Sequence, residues 1–154
     1  MGASILASLA PSGSRRALVL PLYMGSFYPG KPIYEDIVSP VRLHGSVDVF
    51  GFEFPLGVLP ESTLMGHSEI FRSSNLVSER MGKREMVLNT RAWMEYVAPR
   101  YKKIVLVRHG DYMPVWSEAV SGSAAADAIS IVPVHHRTGL RGTVLKRRIY
   151  KALQ

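Results

Sequence analysis

Residues 102–114 read KKIVLVRHGDYMP. Ile104, Val105, Leu106 and Val107 make a continuous apolar run, and three of the four are β-branched. Lys102 and Lys103 precede the run, and Gly110 closes it. An apolar run this short, ended by a turn residue, predicts a strand buried on both faces. Such a strand sits inside a sheet that is covered by other layers. The expected class is therefore α/β (α+β): a small single domain with a short mixed sheet and one packed helix. The body is expected over 35–134, with basic extensions at 1–34 and 135–154.

Just upstream, 85–97 carries the clearest helical signal. Met86, Thr90, Trp93, Met94 and Val97 fall on one stripe at three- and four-residue steps. Glu85 near the start suits the helix dipole, and Pro99 stops the pattern. This stripe reads as core, packed on the sheet that holds 104–107. Downstream, 117–128 is rich in Ser, Ala and Gly and reads as a loop or a short helix, and 129–134 reads as a further strand. Further from the centre, 41–59 holds alternating apolar residues around Val47 and Val49 and predicts one or two short strands. Residues 61–84 are ambiguous, and their mixed charges read as a solvated face. Residues 23–40 are broken by Pro29, Pro32 and Pro40 and read as irregular.

The chain is cysteine-free, so disulfides, thiolate metal sites and a cysteine nucleophile are excluded. No apolar run approaches the roughly 18 residues that span a bilayer. The formal net charge is +7. Residues 1–34 carry only bases (Arg15, Arg16, Lys31), 128–154 carry six bases and no acid, and the middle is nearly balanced. That layout predicts a folded body with two basic arms facing a polyanion. The first arm is also serine-rich and acid-free, the marks of a mitochondrial transit-like leader. In the second, Leu145, Ile149 and Leu153 repeat at four-residue steps with Arg147, Arg148 and Lys151 on other faces, which predicts an amphipathic basic helix.

Residues 106–110 spell Leu-Val-Arg-His-Gly. This resembles the histidine phosphatase family, whose first strand ends in that motif. The resemblance implies a phosphoryl-acceptor role for His109 and a phosphate clamp for Arg108. A neutral imidazole attacks phosphorus, and a planar guanidinium matches two phosphate oxygens. Read from the residues alone, the same stretch is a strand that ends at a glycine turn with Arg108 and His109 at its exposed end. A looser resemblance runs to a small-subunit ribosomal protein of bacteria, carried by Leu106, Arg108, Gly110, Pro114 and Trp116.

Neither a nucleophile elbow, a metal-spaced histidine pair nor a glycine-rich nucleotide loop is present; His135 and His136 are adjacent and would point apart in a strand. No cofactor or metal is expected. The functional expectation is a non-enzymatic subunit of a large mitochondrial assembly: a mitochondrial ribosomal protein contacting ribosomal RNA and neighbouring proteins. The RNA- or partner-binding residues would be Arg15, Arg16, Arg137, Arg141, Lys146, Arg147, Arg148 and Lys151. The alternative is an accessory subunit of a respiratory complex or the ATP synthase, where membrane contact enters. A histidine-phosphatase-like enzyme is the third reading.

Overall fold

The computed structural model describes residues 15–21, 31–53, 57–61, 79–108, 113–121, 124–134 and 142–154. Within them the chain runs β1 (Arg15–Pro21), α1 (Pro32–His44), β2 (Val47–Glu53), β3 (Gly57–Pro60), α2 (Glu79–Tyr96), β4 (Tyr101–Arg108), α3 (Met113–Val120), β5 (Ile129–Pro133) and α4 (Gly142–Leu153). Short 3-10 turns at Ala98–Arg100 and Ala124–Ala128 lead into β4 and β5. The strands form one mixed sheet in the order β3-β2-β1-β4-β5. All neighbours are parallel except β3, which runs antiparallel to β2. The mixed α/β domain expected from the sequence is present, with four helices among the described residues instead of one.

The first correction concerns 15–21. Expected within an N-terminal extension, this stretch is the middle strand of the sheet. Leu18 lies between Val49 of β2 and Val105 of β4. Ala17, Leu18, Val19 and Leu20 are all fully buried. The cause is in the residues: Ala17–Leu20 is a continuous apolar run of the same kind as Ile104–Val107, and a run apolar on both sides is stable only between two layers.

Helices cover both faces. Leu18, Leu20, Val105 and Val107 pack with Tyr34, Ile37, Val38 and Val41 of α1 and with Leu145, Ile149 and Leu153 of α4. Ala17, Val19, Ile104 and Leu106 pack with Met86, Val87, Trp93 and Met94 of α2 and with Val115 and Trp116 of α3. On this second face the aromatic rings meet edge-on. Phe50 and Trp93 lie 5.2 Å apart at 73°, and Trp93 and Trp116 lie 6.3 Å apart at 86°. Such offset geometry favours the ring quadrupoles.

The second correction is α1, which occupies much of a region expected to be irregular or extended. Pro32 stands at its first turn, where a missing N–H has no helical partner to lose. Pro40 lies inside the helix and removes the donor for the Asp36 carbonyl. The Tyr150 hydroxyl of α4 lies 3.5 Å from the Asp36 oxygen and donates its proton to the neighbouring Ile37 oxygen at 3.1 Å, tying α4 to α1 beside the gap. Gly45, at φ 69°, ends α1 in a left-handed turn. The helix expected over 85–97 begins earlier, at Glu79, and buries Met86, Thr90, Trp93 and Met94 as its stripe requires. Gly57, at φ 81°, lets β3 lie against it: a Cβ there would stand 3.0 Å from the Asn89 Cβ.

The third correction is the C-terminal arm. The amphipathic helix exists, but α4 is a layer of the core. Leu145, Ile149 and Leu153 are buried against the sheet. Residues 135–141 lie outside the described residues. Truncating Ile149 to Ala should therefore destabilise the fold by about 2–5 kcal/mol, the range for buried aliphatic truncations. Urea unfolding measures this, and a helix lying outside the body would show almost no change.

Candidate functional site

Strand order reverses between β1 and β4. The chain leaves β1 through α1 on one face and reaches β2; it leaves β4 through α3 on the opposite face and reaches β5. In open α/β sheets, the carboxyl ends of two such strands, whose helices depart to opposite faces, are where ligands are held. Residues 22–30 and 109–112, which follow these strand ends, lie outside the described residues. Pro21 and Arg108 are the last residues of β1 and β4.

Arg108 is the charged side chain that the structure places at this edge. Strand alternation puts it on the face of Ile104 and Leu106, beyond the apolar core. Its carbonyl accepts a 2.9 Å hydrogen bond from the Val134 N–H, which extends the pairing with β5 and fixes its backbone. Its Nε is buried and has no hydrogen-bond partner among the described residues. A buried donor left unmatched costs about 1–3 kcal/mol. An unmatched guanidinium suits an anion, because its planar fork matches carboxylate or phosphate oxygens. Helix α1 begins at the same edge, on the sheet face opposite the Arg108 side chain, and has no side-chain cap; its first turn holds Pro32, which has no N–H, and the Glu35 carboxylate. His109 and Gly110, which complete the phosphatase-like motif, lie outside the described residues.

Of the eight expected binding residues, the six that are described do not converge. Arg15 donates from Nε to Asp48 Oδ2 at 3.0 Å, and the Tyr101 hydroxyl donates to the same oxygen at 2.7 Å. This clasp joins the starts of β1, β2 and β4 at the amino edge. Arg16 points to the other face, where it lines a cavity between α1 and α4. Lys146 is paired with Asp36 at 3.2 Å. Arg137 and Arg141 lie outside the described residues. Arg147, Arg148 and Lys151 are exposed and, with Val144, form one solvent-facing stripe of α4. These three have no ion-pair partner among the described residues.

A second polar cluster flanks α1. The Tyr34 hydroxyl donates to Glu61 Oε1 at 2.6 Å, and Arg42 pairs with both Glu61 and Glu35. Burial first, and then the Glu61 carboxylate, push the Tyr34 hydroxyl far above its ordinary value, so it stays a donor. Sequence spacing carries no sign of this cluster, since Glu61 reaches α1 only through the antiparallel turn of β3. Among the described residues no group of three His, Asp or Glu side chains is placed to hold a metal, and no helix is long and apolar enough to cross a membrane. No family model, curated protein or solved structure matches this chain.

The Asp48 clasp predicts an acid dependence of stability. Burial pushes the Asp48 carboxyl up, but the hydrogen bonds from Arg15 and Tyr101 and the Arg15 charge outweigh it, so its pKa lies below the ordinary value. A depressed folded pKa stabilises the fold above the unfolded carboxylate value of about 4, and that stability is lost as pH falls through the folded value. Asp48→Asn should therefore be less stable than the parent at neutral pH, with the gap closing below about pH 4. Side-chain exposure of 39% at Asp48 and 37% at Arg15 makes the effect modest and salt-sensitive. Urea unfolding across pH checks it; a gap that does not change with pH would contradict the assignment.

Proposed function

We propose that this chain is a ligand-binding α/β domain that takes a phosphorylated small molecule at the carboxyl ends of β1 and β4. One observation carries the reading: the buried, unpartnered Nε of Arg108 at the point where strand order reverses. The guanidinium would take two phosphate oxygens. The same position is the one the histidine phosphatase motif gives to its phosphate-binding arginine. Binding is the function proposed; no group transfer is assigned.

The test is calorimetric titration of the chain with inorganic pyrophosphate and with ADP. Saturable binding is expected. Arg108→Met should weaken it at least tenfold, and Arg108→Lys should recover only part, since an ammonium lacks the fork. Equal binding by the parent and Arg108→Met would overturn the reading.

A second reading keeps the chain as a structural subunit of a mitochondrial ribonucleoprotein, the ribosome first. The exposed stripe of Arg147, Arg148 and Lys151 supports it, because unpaired bases on one helix face suit a phosphate backbone. Replacing all three with Gln should then flatten the salt dependence of single-stranded RNA binding by a slope of about 2. Co-sedimentation of the tagged chain with ribosomal RNA, abolished by ribonuclease, is expected on this reading; sedimentation as a free monomer would remove it.

A further inference from the structure

At the opposite, amino edge of the sheet, a cavity of about 320 Å³ opens between α1 and α4. Its floor is the start of two strands, with Arg16 of β1 and Val47 of β2. Pro40 and Val41 of α1 form one wall, and Tyr150 and Leu153 of α4 form the other. The two helices are tied together one turn away, where Lys146 pairs with Asp36 and Tyr150 donates to the Ile37 carbonyl.

The lining is largely apolar; besides Arg16, its polar side chains are Tyr150 and Gln154. Arg16 is the one charged side chain in the wall among the described residues, and its Nε is buried with no hydrogen-bond partner. Its neighbour Arg15 is engaged with Asp48 on the other face of the sheet, so that carboxylate serves Arg15. Strand alternation keeps the two arginines on opposite faces and prevents Arg16 from sharing that acid. The cavity is therefore a largely apolar space of modest size closed at one end by a cation that lacks an anion.

We infer that this cavity binds a small monocarboxylate with an aliphatic body, at a site separate from Arg108. The carboxylate lies against the Arg16 guanidinium, and the hydrocarbon tail lies along Val41, Val47 and Leu153. The size is at the small end of ligand pockets, which run from roughly 300 to 1,000 Å³. One cation matches one negative charge. A phosphate would need further cationic donors; the other polar side chains of the lining are Tyr150, whose hydroxyl already donates to the Ile37 carbonyl, and Gln154, which is uncharged. The tail gains by leaving water, and the head gains a charge-assisted bond for a donor that is otherwise unmatched.

The experiment is a titration of the full chain with octanoate and, separately, with octanamide, followed by the methyl signals of Val41, Val47 and Leu153. Octanoate is expected to bind saturably in the millimolar range or tighter, with shifts centred on those three residues. Octanamide, of the same shape and without charge, should bind at least tenfold more weakly. Arg16→Met should remove the preference for the acid. Equal binding of the two compounds, shifts centred elsewhere, or no saturation would each overturn the inference. The comparison of acid with amide in the parent chain stands even if Arg16→Met does not fold.

Discussion

Strands β1 and β4 lie side by side at the centre of the sheet, and their apolar runs, Ala17–Leu20 and Ile104–Val107, are buried on both faces. Every peptide N–H and C=O in them must find its partner in a neighbouring strand, because an unpaired one would stay unmatched in the core. Their mutual pairing supplies one side of that need, and β2 and β5 supply the other. Both helical layers also rest on this pair. Ala17, Val19, Ile104 and Leu106 are the floor for α2 and α3, and Leu18, Leu20, Val105 and Val107 are the floor for α1 and α4. A change that separated the pair would remove the base of both cores at once.

The two ends of the sheet are treated differently. At the amino edge Asp48 satisfies Arg15 and Tyr101 on the face of α2, and the face of α1 and α4 is left with a cavity and one lone arginine. At the carboxyl edge the strand ends leave a guanidinium unmatched, and a helix begins without a cap. Charge that is neutralised by its own fold holds elements together; charge left unmatched beside open space is available to something else. On that division Arg15 and Lys146 belong to the architecture, whereas Arg16, Arg108 and the outer stripe of α4 are left without an anion among the described residues.

Much of this was legible in the residues. The run Ile104–Val107, the stripe of α2, the strand at 129–133 and the apolar repeat of α4 each follow from periodicity, and Arg108 at a strand end follows from the motif. Strand β1 was not legible, although Ala17–Leu20 resembles 104–107 in kind. Flanking arginines, nearby serines and Pro21 gave it the composition of a leader, and composition does not report which run will find two partners. Helix α1 was hidden by Pro32 and Pro40, since a proline is harmless at a first turn, and inside a helix it is tolerated when the helix is held by packing such as that of Tyr34, Ile37, Val38 and Val41 on the sheet. The cavity at Arg16 had no linear signature at all: its walls come from four elements that meet only after folding.

The register of the central pair bears on how the chain reaches its native state. Leu18 finds its partner in Val105, 87 residues further on. Contacts of such long sequence separation are entropically costly to close and slow the search. The unit β1-α1-β2 closes over a much shorter span, so it assembles first, with the inner edge of β1 still open. During synthesis that edge, apolar on both sides, waits unpaired until β4 has been made. An open edge of this kind is a template for wrong partners. The chain thus carries its greatest aggregation hazard in its innermost strand, at a stage that leaves no trace once β4 has docked.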